Sequence, residues 1–170
     1  KLVADGEHKI IISSCCHTVN TLIQKYYPQA LPYLAQVKSP MLAHGEILKK
    51  KYPGCHTVFI GPCLSKKAEA DAYAGAIDCV LTFEELTGWL KEENIEVCPV
   101  SDNAGRSDRA KTRLYPTTSG ILRSMNKDNP EYLYMAIDGV ENCRNALRDI
   151  IDGNVGKCFI EMSACVNSCI

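Results

Sequence analysis

The chain has 170 residues and a mass of 18.8 kDa, enough for one domain of ordinary size or for two small lobes. Lys and Arg number 19 against 20 Asp and Glu, a net charge of -1, so the composition holds no polyanion-binding surface and nucleic acid is not an expected partner. No run of about 18 apolar residues is present for a membrane span, and the opening KLVADGEHK is too polar for a signal peptide. A thiol-keeping, cytoplasmic compartment is therefore expected, and the 10 cysteines ask for a chemical explanation other than disulfide staples.

Residues 8–13 (HKIIIS) form a β-branched run that predicts a strand, followed by Cys15 and Cys16 and a helical pattern over 18–27 that stops before Pro28. Ser39 offers a capping hydroxyl before Pro40 at a first helical position, and MLAHGEILKKKY keeps helical spacing until Pro53-Gly54. A second strand at 56–60 turns through Gly61-Pro62-Cys63 into a helix that opens at Ser65, with Glu69 as its capping-box-like partner. A third strand at 78–82 leads into a helix at 83–92. Polar residues 101–113 read as a solvated connector near a lobe boundary. Beyond it come a helix at 119–125, a strand at 132–137, an amphipathic helix at 140–151 and a strand at 158–162 that empties into Cys165 and Cys169. This alternation predicts an α/β fold of two small lobes, residues 1–98 and 99–170. Their sheets should be mainly parallel and flanked by helices, with the cysteine loops meeting in the cleft between the lobes.

Cys79, Cys98, Cys143 and Cys158 lie inside apolar patterns and are expected to pack in cores, and Cys55 is expected to be structural. Cys15, Cys16, Cys63, Cys165 and Cys169 instead sit where an apolar run gives way to small or polar residues. Loops after the carboxyl ends of parallel strands face a common crevice, so these thiols can converge, and the helix N-termini after the first two loops favour thiolates. Thiolates from three distant loops suit a 4Fe-4S cluster. Zinc is a rival, although only Cys165 and Cys169 have knuckle-like spacing. Inert or redox thiols stay open on the residues alone, as does a Cys15 or Cys63 nucleophile activated by His17, His44 or His56. The glycines match neither a dinucleotide nor a phosphate loop.

Three segments in order carry a resemblance: Ser13-Ser14-Cys15-Cys16, then Gly61-Pro62-Cys63-Leu-Ser-Lys66-Lys67-Ala-Glu69, then Glu161-Met-Ser-Ala164-Cys165-Val-Asn-Ser-Cys169. They resemble the H-cluster motifs TSCCPxW, MPCxxKxxE and ExMACxxGC of iron-only (FeFe) hydrogenases, and YYPQALPYLAQVKSP is similar to the family's segment between the first two. The resemblance implies that Cys16, Cys63, Cys165 and Cys169 hold a 4Fe-4S subcluster, with Cys169 also bridging to a diiron subcluster. It implies that Cys15 carries protons to the dithiolate amine, that Lys66 donates to an iron-bound cyanide, and that Glu69 is the motif's glutamate. Ser39, Pro40 and Ser163 would line the diiron pocket. The implied substrates are hydrogen and protons, and the implied partner is a ferredoxin-like electron-transfer domain or protein. Each residue also has a plainer role open to it: a solvated first helical turn for Lys66, a cap partner for Glu69 and a helix start for Ser39 and Pro40.

Departures from the pattern point to a divergent, sensory-like branch. Gly61 and Ser163 replace methionines, Ser168 replaces a glycine, His17 and Val19 replace proline and tryptophan, and Ala35 stands where the proton relay has a serine. The expectation is reversible hydrogen oxidation at slow or absent turnover, or hydrogen sensing. The alternative is a non-catalytic iron–sulfur carrier or assembly protein without the diiron unit. With no initiating Met and one residue after Cys169, the chain is expected to be a fragment that is inactive in isolation.

Overall fold

The computed structural model describes residues 2–98, 111–127 and 129–169, so residues 101–110 of the expected connector lie outside it. The described chain is α/β, in two compact units, Lys1–Ser39 with Thr112–Ile170 and Pro40–Lys111. The expected lobes, 1–98 and 99–170, cut the chain once, whereas the units cut it twice. The reason is strand pairing: β1 (Ile10–Ile12) pairs in parallel with β5 (Cys158–Ser163), drawing the first 39 residues into the C-terminal half.

The first unit is built on a parallel sheet of order β1-β5-β4, with β4 spanning Leu133–Asp138. Side chains alternate across a strand, so β5 serves two cores. Cys158, Ile160 and Met162 point into one core, with Val19 and Ile23 of α2 (His17–Tyr26) and Cys143, Leu147 and Ile150 of α7 (Val140–Ile151). The helical contributions recur at three- and four-residue intervals, which is the apolar stripe that makes each segment a packed helix. Phe159 points the other way, into a core with Val3, Ile11, Leu122 and Tyr132, flanked by α1 (Leu2–Asp5) and α6 (Gly120–Ser124). The Tyr132 hydroxyl donates to the His8 carbonyl beside it.

In the second unit, β2 (Val58–Ile60) and β3 (Cys79–Leu81) pair in parallel, in the chain order α3 (Pro40–Lys51), β2, α4 (Ser65–Ala72), β3 and α5 (Phe83–Glu92). Its core joins Met41 and Leu42 to Ala70, Ala76, Ile77 and Val80, with Phe59 against it. Gly45 lets α3 approach closely, since a Cβ there would lie 2.4 Å from the Ala76 carbonyl oxygen. Val58 and Ile60 stay 53% and 43% exposed, and α5 buries none of its residues.

Most elements lie within two residues of their expected bounds, and α5 and α7 match them, because strong helical periodicity and a local stop define both. Three local expectations are corrected. Residues Pro28–Tyr33 form a 3-10 helix and Leu2–Asp5 a short α-helix, neither anticipated. The capping box is not at Ser65, where the N-cap is Leu64 without a side-chain bond; it is at Thr82, whose Oγ1 accepts from Glu85 N while Glu85 Oε2 accepts from Thr82 N. Cys143 and Cys158 are buried as expected, but Cys79 and Cys98 are exposed, Cys79 because its strand has one uncovered face.

Two predictions follow from this packing. Ile160→Ala, at a site 1% exposed in the central strand, should cost about 2–5 kcal/mol, and Val58→Ala less than about 1 kcal/mol, by denaturant titration. Asp78 accepts from Lys49 Nζ at 2.7 Å, from Thr57 N at 2.7 Å and from Thr57 Oγ1 at 3.0 Å. These donors, the lysine foremost, hold its carboxyl well below the ordinary range. A carboxyl depressed in the folded state stabilises above its unfolded value of about 4 and loses that contribution as pH falls. The stability gap between the protein and Asp78→Asn should therefore shrink below about pH 4; a gap that widens on acidification would contradict the assignment.

Candidate functional site

In the first unit two cysteine loops leave the same end of adjacent parallel strands. After β1, Ser13 N donates to the Ile160 carbonyl at 2.9 Å and Met162 N donates to Ser13 Oγ at 3.2 Å, locking the strand end onto β5. Ser14 Oγ donates to the Val37 carbonyl at 2.6 Å, and Asn20 Nδ2 to the Ser14 carbonyl at 2.9 Å. The chain is thereby bent so that Cys15 and Cys16, both half-buried, take different surroundings. Cys16 is the N-cap of α2 and makes no side-chain capping bond.

Cys15 lines a cavity of about 570 Å³ with Ser14, Ala35, Val37 and Ile121. Among the described residues lining it, none but Cys15 carries a titratable side chain.

After β5 the chain passes Ser163 and turns between Cys165 and Cys169, both exposed. Asn167 and Ser168 take left-handed conformations, with φ of 62° and 67°. Ser168 N donates to the Cys165 carbonyl at 3.2 Å, and the Ser168 and Ser163 hydroxyls are 3.4 Å apart. Cys143, fully buried on α7, lies beneath this loop and donates its thiol hydrogen to the Ser163 carbonyl, with Sγ 3.4 Å from the oxygen. Burial foremost, with the charge of Cys16 adding to it, pushes the Cys143 thiol up to about 11.

The second unit carries the other expected residues. Cys63 follows β2 and is half-buried; its carbonyl accepts from Lys66 N at 3.2 Å in the first turn of α4. Lys66 Nζ and Glu69 Oε2 are 2.5 Å apart, with Glu69 only 2% exposed. Glu69 is thus the counter-ion of Lys66 and not a cap for Ser65. Such a pair is sensitive to loss of Lys66, because the Glu69 charge would then be buried alone. Ser39, 2% exposed, ends the first stretch of the first unit, and Pro40 is the first residue of α3.

Cys15, Cys16, Ser163, Cys165 and Cys169 therefore share one sheet edge, and Pro40, Cys63, Lys66 and Glu69 belong to the other unit. Among the described residues, no three His, Cys, Asp or Glu side chains are gathered as a metal site. The donor chemistry nevertheless suits iron–sulfur ligation: all ten cysteines are described, none forms a disulfide, and Cys16, Cys63, Cys165 and Cys169 are half-buried or exposed on loops. Sequence reasoning missed Asn20, Cys143 and Asp138, which hold the loops from behind. An acidic residue before glycine at a strand end, as in Asp138-Gly139, was the available signal for the last.

A family model described as the C-terminal domain of the iron-only hydrogenase large subunit matches residues 1–133 and 110–170. The chain belongs to this family. Curated relatives include the cytosolic Fe-S cluster assembly factor NAR1 of Kluyveromyces lactis, 28% identical over 160 residues, with 81% of this chain and 33% of that protein covered. They also include the periplasmic Fe hydrogenase large subunit of Nitratidesulfovibrio vulgaris, 27% identical over 141 residues, with 75% of this chain and 34% of that protein covered. The chain spans about a third of the length of these relatives. An apo FeFe-hydrogenase HydA1 from Chlamydomonas reinhardtii has the same fold, with a TM-score of 0.68 at 17% identity, covering 96% of this chain and 61% of that one. Among the described residues no helix is long and apolar enough to cross a membrane.

A thiol raised to about 11 is almost wholly protonated at pH 8, and Cys143 is also shielded. Brief iodoacetamide treatment of the folded, metal-free chain at pH 8 should label Cys165 and Cys169 and leave Cys143 unmodified by peptide mass spectrometry.

Proposed function

We propose that the chain is the cluster-binding domain of a hydrogenase-like protein, in which Cys16, Cys63, Cys165 and Cys169 ligate a 4Fe-4S cluster. The observation that carries this reading is the placement of the Cys16 and Cys165–Cys169 loops on one edge of a parallel sheet, within a chain of the iron-only hydrogenase family. Cys63 supplies the fourth thiolate from its own strand-end loop. When bound, a diiron subcluster would supply the centre at which hydrogen is split or formed. Cys169 would bridge to it, and Ser39, Pro40 and Ser163 would line its pocket.

In this reading Cys15 Sγ holds a proton at its cavity, a task suited to a thiol that can both take up and release one. Lys66 presents an ammonium, oriented by Glu69, to an anionic ligand. The cavity supports slow hydrogen chemistry or sensing over rapid turnover: Ala35 stands in its wall where the relay serine would be, and Cys15 is the one titratable side chain among its described lining residues. A ferredoxin-like domain or protein would exchange electrons with the cluster, in a cytoplasmic, thiol-keeping setting.

A second reading, a cluster carrier or assembly protein without the diiron unit, is favoured by the same cavity and by the similarity to NAR1. Anaerobic reconstitution followed by iron and acid-labile sulfide analysis tests the shared part. Uptake of about four irons per chain is expected, and it should fall in Cys16→Ser and Cys63→Ser. Absence of iron uptake would end both readings. Infrared spectroscopy after maturation separates them: cyanide and carbonyl bands support the hydrogenase reading, and iron without those bands supports the carrier. Hydrogen production at ordinary family rates by the matured full-length protein would refute slow turnover.

A further inference from the structure

We propose that Asp138 and Glu161 are positioning residues that clamp the Cys165–Cys169 turn from two sides, fixing its geometry before any metal binds. The purpose of the clamp rests on the reading of Cys165 and Cys169 as cluster ligands; its geometry does not.

The turn needs holding. Two consecutive residues with side chains, Asn167 and Ser168, have positive φ, a conformation that costs free energy and persists only where surrounding contacts impose it. Ser168 is buried, so its backbone cannot rely on water for that purpose.

Asp138 acts directly. As the last residue of β4, its Oδ2 accepts from Asn167 N at 2.5 Å, at the first strained residue. Its own backbone is held from the other side, where Asn142 Nδ2 donates to the Asp138 carbonyl at 2.8 Å.

Glu161 acts through a relay. It lies on β5 opposite Ala136 and is 3% exposed, and its Oε2 accepts from Leu122 N at 3.0 Å, fixing the start of α6. The turn preceding α6 is tight: the Leu114 carbonyl accepts from Thr117 N at 2.9 Å and from Thr117 Oγ1 at 2.7 Å, and Gly120 N donates to the Thr117 carbonyl at 2.9 Å. A Cβ on Gly120 would lie 1.7 Å from the Leu114 oxygen, so this turn cannot shift independently of the helix start. The same turn grips the cysteines, because the Pro116 carbonyl accepts from Cys169 N at 3.0 Å and Thr117 bridges to Ser168. A displacement at Leu122 N therefore reaches Cys169 through a short hydrogen-bonded path.

The test is amide hydrogen exchange on the metal-free chain and on four variants. Asp138→Ala should speed exchange at Asn167 by about tenfold or more, and Glu161→Ala should do so at both Leu122 and Cys169. Asp138→Asn and Glu161→Gln keep an acceptor oxygen and should retain protection. A purely structural loss would not be rescued selectively at these amides. Unchanged exchange at Asn167 and Cys169 in the alanine variants would overturn the proposal, as would amide variants that behave like the alanine ones. Should Glu161→Ala fail to fold, Glu161→Gln and the Asp138 pair decide the matter. On the iron-loaded chain, the electron paramagnetic resonance spectrum of the reduced cluster should change in Asp138→Ala and return in Asp138→Asn. A wild-type chain that takes up no iron would sink the ligand reading while the exchange data still judge the clamp.

Discussion

The pairing of the first strand with the last organises the first unit. β1 and β5 run in the same direction, in register from Ile10 and Cys158 to Ile12 and Ile160. Closing so long a loop is entropically unfavourable, and the opposing term is burial of both strands between two apolar layers. Once the pair forms, direction does the rest: both strands end at one edge, so the loops with Cys15 and Cys16 and with Cys165 and Cys169 emerge together. The Ser13 contacts to Ile160 and Met162 continue the pairing beyond the last ladder residue, so the cysteine pair starts from a fixed point.

The second unit is organised differently. Its parallel ribbon has only two strands, and parallel strands are ordinarily covered on both faces. Here the inner face packs on α3 and α4, while Val58 and Ile60 remain largely open. Polar ties compensate for the small core: Asp78 gathers Lys49 and Thr57 at the start of β3, and Lys67 pairs with Glu85 across α4 and α5. The Lys67 pair is exposed and adds little stability. Glu69 is buried and Lys66 half-buried, so the pair fixes the direction of the ammonium more firmly than a solvated lysine would allow.

Elements whose signals are local were legible in the sequence. α7 announces itself by the buried sequence Cys143, Leu147 and Ile150 at helical spacing, and α5 by its sharp boundaries. Which strand pairs with which is not a local property, so the double crossing of the chain between units was hidden, and a polar connector was an attractive but incomplete boundary. Cys79 looked like a core residue because an apolar run does not reveal that one face of its sheet is bare. The strand-end cysteines were legible by position. Their supports were not, because Asp138 and Glu161 act on backbone amides far away in sequence, at Asn167 and Leu122.

Ten chemically identical side chains thus become several kinds of thiol through environment alone. Cys143 and Cys16 are near enough for a charge on one to be felt by the other, yet one is sealed in the core and the other caps a helix N-terminus. Burial and that charge both keep Cys143 protonated, and its hydrogen is directed at the Ser163 carbonyl. A metal ligand must give up its proton, so the core thiol is poorly suited to be one. The same contact places a donor under the backbone that leads into Cys165. The core cysteine therefore supports the cysteine loop as a protonated hydrogen-bond donor.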